Sequence, residues 1–207
     1  MRPEQRDSLE RIVRADPDLM RLLAVARSEK LPQWRLVAGC LYQTVWNALT
    51  DRPPRTGIKD YDLVYFDALD LSWEAEDRVV RRIAAAAAGL VGPVEVRNQA
   101  RVHLWFERLF GVPYPPLTRT DEALERYASV VHAIGVRLDD DDRLDIAAPF
   151  GLDDLFSMTI RPNRALPNSG SHAAKATRAK AIWPEVTVIP WDEDPAAGPC
   201  TPAGECL

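Results

Sequence analysis

The chain has 207 residues, 46% of them hydrophobic, which is enough to bury a single core; its formal net charge is −5 at pH 7. That acidity excludes a surface that grips nucleic acid along its whole extent, since phosphate binding rests on clustered Lys and Arg, although a local basic patch is compatible with it. The charged N-terminal MRPEQRDSLE, the lack of any stretch near the roughly 20 apolar residues of a bilayer span, and three cysteines in neither metal nor disulfide spacing lead us to expect a cytoplasmic protein without membrane contact.

Residues 4–30 read as two helices, the second opened by Asp16 as cap and Pro17 at its first position, with Leu19, Leu22, Leu23 and Ala26 along one side. WRLVAG, residues 34–39, is a short strand ending at Gly39, and CLYQTVWNAL after it carries Leu41, Val45, Ala48 and Leu49 at helical spacing. DRPPR, residues 51–55, breaks that helix, and GIKDYDLVYFD, residues 57–67, follows as a strand. From Ser72 to Leu90 acids precede arginines, as a helix macrodipole favours, with Gly89 as a stop.

VEVRNQARVHLWF, residues 94–106, alternates partly at period two and is expected to be a long strand, or two strands joined near Asn98; PYPPL then forces a loop. Thr120 is expected to cap a helix whose apolar face is Leu124, Tyr127, Ala128 and Val131, ended by Gly135 before the strands VRL and RLDIAAPF. GLDDLFSM reads as a short helix. The organisation expected is N-terminal helices packed on the core over 1–30, a core domain with a C-terminal extension over 31–191, and a disordered Pro-, Gly- and Ala-rich tail over 192–207 that includes Cys200 and Cys206.

Chemistry concentrates in GIKDYDLVYFD. Alternation puts Asp60, Asp62, Val64 and Phe66 on one strand face, yet beyond Asp62 both faces turn apolar, as in a central strand covered on both sides. A solvated face would continue polar, so the carboxylates sit at one end of a buried strand. Side chains at i and i+2 are near enough to converge on a hard cation such as Mg²⁺, and Glu95 in VEVRN is the candidate third acid, with an exposed strand acid as the competing reading. The acidic run Asp139–Asp142 reads as a solvated hairpin turn, because calcium-loop spacing is absent, and His103 as a packed histidine without a nucleophile motif. Residues 158–184 contain Arg161, Arg164, Lys175, Arg178 and Lys180 and no acid, so they form either a solvated basic segment or a phosphate- or acceptor-binding rim.

A strand, a glycine turn opening a helix, two acids in the next strand and a third acid beyond form a pattern that resembles the nucleotidyltransferase superfamily with the DNA polymerase β-like fold; here it runs Gly39, Cys40, Asp60, Asp62, Glu95. AGCLYQTVWN, GIKDYDLVYFD, PVEVRNQARVHLWF, PYPPL, APFGLDDLF and RPN together are similar to a bacterial nucleotidyltransferase-like family of unknown substrate, over roughly residues 35–190. The resemblance implies an α+β fold with a mixed central sheet and flanking helices. It also implies a site in which Asp60, Asp62 and Glu95 bind Mg²⁺ or Mn²⁺, with Asp60 and Asp62 also meeting an NTP and Glu95 supporting the attacking hydroxyl. Gly39 and Cys40 are its phosphate-side positions; Cys40 stands where Gly or Ser is usual, leaving its backbone N–H to serve. Arg178 and Lys180 are the expected nucleotide-binding cations of the basic segment. The expected function is transfer of a nucleoside monophosphate from an NTP to an acceptor that is a small molecule, RNA or protein. Its rivals are another metal-dependent phosphoryl transfer at the same carboxylates and a non-catalytic nucleotide-binding or protein-interaction module of the same fold.

Overall fold

The structure, a computed structural model, describes residues 1–89 and 92–192, so the expected disordered tail lies, but for Asp192, outside the described residues. Helices α1 (Pro3–Ala15) and α2 (Pro17–Ser28) meet at Asp16, whose carboxylate accepts from the amides of Asp18 and Leu19 at 2.9 and 3.0 Å, so the expected cap is in place. β1 (Arg35–Val37), α3 (Gly39–Leu49), β2 (Tyr61–Tyr65), α4 (Trp73–Ala86) and β3 (Val94–Asn98) follow. Beyond them come α5 (Phe106–Phe110), α6 (Asp121–Leu124), β4 (Gly135–Leu138), β5 (Leu144–Ala147), α7 (Asp153–Phe156), β6 (Thr159–Ile160), α8 (Ser169–Ile182) and β7 (Thr187–Val188).

The main sheet has the order β3-β2-β1-β4-β5; β2 and β3 are parallel, joined by the α4 crossover, and the other neighbours are antiparallel. β6 and β7 form a separate parallel pair. The sheet is therefore mixed and α+β, as expected. Alternation sorts its faces: Leu36, Tyr61, Leu63 and Tyr65 enter the main core with the helices α1 to α3 and Ile83 of α4, while Val37 and Val64 turn to the other side and pack with Leu124 and Ala133. A fully buried leucine such as Leu63 contributes about 1.5–3 kcal/mol, so the strand's burial fixes its register and with it the face on which Asp62 emerges.

Two elements depart from the sequence expectation. The 94–106 segment is a strand only to Asn98 and then turns through a 3₁₀ helix, Gln99–Leu104, into α5. Local side-chain bonds override its alternation: Asn98 Oδ1 accepts from the amides of Asp67 and Ala100 at 3.0 and 3.1 Å, and its Nδ2 donates to Asp67 O at 2.8 Å. Buried Glu76 accepts from the Asn98 amide at 2.8 Å and from the Arg101 guanidinium, which also donates to Leu71 O at 2.9 Å, so the chain is bent back onto α4. The helix expected after Thr120 stops at Leu124. Thr120 makes no capping bond, and residues 128–130 give their backbone groups to the 161–163 segment instead, Val130 N donating to Arg161 O at 2.9 Å and Asn163 N to Ala128 O at 3.0 Å. The 139–142 run is the β4–β5 hairpin turn, its Asp139 carboxylate accepting from the amides of Asp141 and Arg143 at 2.9 and 2.8 Å.

Candidate active site

At the end of β1 the chain must reverse into α3 within one residue. Ala38 does this at φ 54°, ψ −113°, a backbone region that favours glycine, and is held there by donating to Ile134 O at 3.0 Å. Its own carbonyl accepts from the amides of Leu41 and Tyr42, both at 3.1 Å. The amides of Gly39 and Cys40, first in the helix, have no partner among the described residues, which leaves a donor pair at the positive end of a helix. A Cβ on Gly39 would meet only Gln43 Nε2 at 3.9 Å, so nothing in the fold requires glycine here; the open space is suited to a ligand approaching the backbone. The Cys40 side chain is fully buried, its thiol 3.6 Å from Val37 O, and burial first and Asp62 second push its pKa far up. Only its backbone faces the site.

Asp62 is the centre. In register it lies between Val37 of β1 and Glu95 of β3, so Asp62 and Glu95 stand side by side on one sheet face, about 4.8 Å apart along the hydrogen-bonding direction. Asp60 precedes by two residues, at the mouth of β2. The loop that carries it is held by α8: Gly57, at φ 79°, passes so close to the Trp183 ring that a Cβ there would lie 2.5 Å from it, and Trp183 in turn donates to Asn47 Oδ1 of α3 at 3.2 Å. Removal from water, then repulsion from Asp60 and Glu95, pushes the Asp62 pKa up to about 6, against the opposing pull of Lys175 and Arg97.

The opposite wall is α8. Solvent still reaches Lys175, yet the protein crowding around it lowers its ammonium pKa; Asp62 and Asp60 oppose that, and Arg178 adds to it. Arg178, one turn on, lies beside the buried Tyr42 phenol, to which Gln43 Nε2 donates at 2.8 Å. His132, 1% exposed, packs against Tyr42 with ring centroids 5.0 Å apart and with both ring nitrogens unpartnered among the described residues; burial first, then Lys175, hold its pKa well below the usual histidine range. An acidic floor thus faces a basic wall across the mouth of a helix N-terminus.

Of the residues singled out from sequence, Asp60, Asp62, Glu95, Gly39, the Cys40 amide and Arg178 are brought to this one place. Lys180 is not: its ammonium donates to the carbonyls of Pro184 and Val186 at 2.7 and 2.5 Å and closes the end of α8. Lys175 was named only as one cation of the basic segment and not chosen for the site, and Arg97, Tyr42, Gln43 and His132 were not singled out. A signal existed for two of them: Lys175 and Arg178 are three apart on a helix and so share a face, and Arg97 follows Glu95 by two on a strand. As for a metal, Asp60 and Asp62 supply the hard oxygen donors and the excess negative charge that suit a divalent ion of the Mg²⁺ type. No three His, Cys, Asp or Glu groups among the described residues close on one point, so the expected three-acid metal set of Asp60, Asp62 and Glu95 is not assembled as one cluster, although Glu95 stands beside Asp62 in register.

A family model described as nucleotidyltransferase matches residues 24–188 of the chain. No curated protein matches. Among solved structures, one described as revealing "a CCA-adding enzyme head domain", determined by NMR, superposes with a TM-score of 0.71 over 89% of this chain and 95% of the other at 22% identity, which is a likeness of fold. Among the described residues no helix is long and apolar enough to cross a membrane.

Proposed function

The chain belongs to the nucleotidyltransferase family, and from that premise we propose that it transfers a nucleoside monophosphate from an NTP to an acceptor hydroxyl in a Mg²⁺- or Mn²⁺-dependent reaction centred on Asp62. One observation carries this reading: Asp62 is paired in register with Glu95, preceded by Asp60, and faced by Lys175, with Arg178 next to that lysine and two unused helix amides at the same mouth. Asp60 and Asp62 would hold the divalent ion, which would supply charge neutralisation at the phosphorus. The Gly39 and Cys40 amides and Arg178 receive the β- and γ-phosphates, since donors at a helix N-terminus and a guanidinium both match phosphate oxygens. Glu95 accepts the proton of the attacking hydroxyl. The oxygen of that hydroxyl then bonds to the α-phosphorus as the bond to the pyrophosphate oxygen breaks, and pyrophosphate leaves with that electron pair. Lys175 sits where it balances negative charge between the two ends of the displacement. Lys180 closes the end of α8 and takes no part in the phosphate contacts.

The test is release of pyrophosphate from each of the four NTPs, with Mg²⁺ or Mn²⁺, over acceptor panels of small hydroxyl compounds, RNA and protein. Wild-type turnover that disappears in Asp60→Asn and Asp62→Asn supports the reading. Nucleotide and metal binding that is the same in wild type and both variants would overturn it.

A further inference from the structure

Beside the carboxylates, on the Val64 and Phe66 side of the sheet, lies a second cavity of about 340 Å³, within the range of small-molecule sites. Phe106, Phe110 and Tyr127 wall it, Asn168 and the exposed first turn of α8 close one end, and Lys175 stands between it and Asp62. The rings of Phe106 and Phe110 lie 4.6 Å apart between centroids, backed by Trp105 at 6.0 and 6.5 Å. Phe110 is 56% exposed, so its ring contributes little to any core and is offered to the cavity and solvent. Asn168 Oδ1 accepts no hydrogen bond from the described residues, and its side-chain amide, with donors and an acceptor, is suited to the edge of a polar ring. Continuity with the catalytic site is electrostatic as well as spatial, since Tyr127 and Lys175 both feel Asp62.

We propose that this cavity holds the aromatic heterocycle of a nucleoside, stacked on the Phe106–Phe110 wall, with its phosphate directed past Lys175 to the carboxylates. Flat rings stack on aromatic faces, a cation on the path selects an attached anion, and an aliphatic ligand would leave the Asn168 amide unused. The inference rests on the nucleotidyl-transfer reading, and names the substrate part that its phosphate site leaves open. The heterocycle comes either from the NTP or from the acceptor.

Calorimetric titration with the four nucleosides, the matching NTPs and inorganic triphosphate, all with Mg²⁺, separates the cases. Phe110→Ala, at an exposed position, and Ser171→Phe, which fills the cavity from the first turn of α8, should each weaken nucleoside-bearing ligands at least about fivefold and leave inorganic triphosphate unchanged. A nucleoside that competes with its NTP assigns the ring to the NTP; one that binds alongside it assigns the ring to the acceptor. Nucleosides that bind while triphosphate does not would keep the cavity and remove the transfer reading. Equal effects on NTP and inorganic triphosphate, or no nucleoside binding and unaltered NTP affinity in both variants, would overturn the proposal.

Discussion

Replacing Asp62 by Asn tests the electrostatics of the cleft before any activity is measured. Its folded-state pKa of about 6 stands above the ordinary value of 3.8, so the native state holds this proton more tightly than the unfolded chain does. The sign follows: a carboxyl raised on folding costs stability when ionised, and the cost grows as pH rises through the interval from about 4 to 6 and is complete above 7. The difference of about 2 pH units at 1.36 kcal/mol each sets a ceiling near 3 kcal/mol at neutral pH. Asn keeps part of the desolvation cost of a polar group, so a gain of about 2 kcal/mol is expected in chelator at pH 7.5, a rise in Tm of about 4–8 °C for a chain of this size. At pH 4 the advantage should shrink below about 1 kcal/mol. With Mg²⁺ and NTP the order should reverse, because wild type gains about 2.7 kcal/mol at a ligand concentration of a hundred times Kd while the variant, short of a metal carboxylate, gains little. Scanning calorimetry across pH, with and without ligand, reads all of this. Equal stability at pH 7.5, or an advantage that persists undiminished at pH 4, would refute the repulsion argument.

Gly39→Ala should leave stability within about 1 kcal/mol of wild type, since the added Cβ meets only Gln43 Nε2 at 3.9 Å, and should weaken NTP binding at least tenfold (~1.4 kcal/mol) as measured by calorimetry; unaltered affinity would separate the turn from the phosphates. Arg178→Ala should weaken NTP binding and flatten its salt dependence with the fold intact, whereas Lys180→Ala should lower stability by about 1 kcal/mol through two lost carbonyl bonds and leave affinity alone; the opposite pattern in the two variants would reassign the wall of the site. Ala38→Gly should stabilise by about 0.5–1 kcal/mol, because glycine adopts φ 54°, ψ −113° without strain; a loss of more than about 1 kcal/mol by thermal melting would show that Ala38 packing outweighs its backbone.

Much of the site was legible in sequence because it is written in short-range patterns. The acids two apart on a strand, the glycine opening a helix and the strand-helix-strand crossover each declare themselves within about 30 residues, and the register Asp62 to Glu95 follows once β2 and β3 are parallel neighbours. What stayed hidden depends on distant partners. Alternation argued for strand through residue 106, but Asn98 is claimed by Asp67 and Arg101 by Glu76, both more than 20 residues away, and those bonds end the strand. Helical spacing after Thr120 failed likewise, because Val130 donates to Arg161 O and Asn163 to Ala128 O across the chain. Lys180 was chosen from a run of cations in which only facing decides, and Lys175, of the same charge and helix, faces the acids instead.

The unliganded cleft holds opposite stresses a few residues apart. Asp62 is crowded by two like charges, Lys175 is lowered by lost water, and two helix amides have no partner; each is a cost to the fold, and the pull between acid and base across the cleft offsets only part of the first two. Had stability been the organising demand, a direct ion pair between Lys175 and Asp62 would be the simplest remedy, and among the described residues no such bridge forms, while Arg35, Arg52 and Arg137 elsewhere all reach carboxylates within 3.5 Å. Keeping the charges apart leaves room for something between them that carries both signs. A phosphate bound with a divalent cation is such an object: its oxygens meet the amides and the basic wall while the cation meets the acids, and each stress is relieved by the same molecule. That complementarity, more than any single residue, is the physical reason to read this cleft as a site for metal-bound nucleotide.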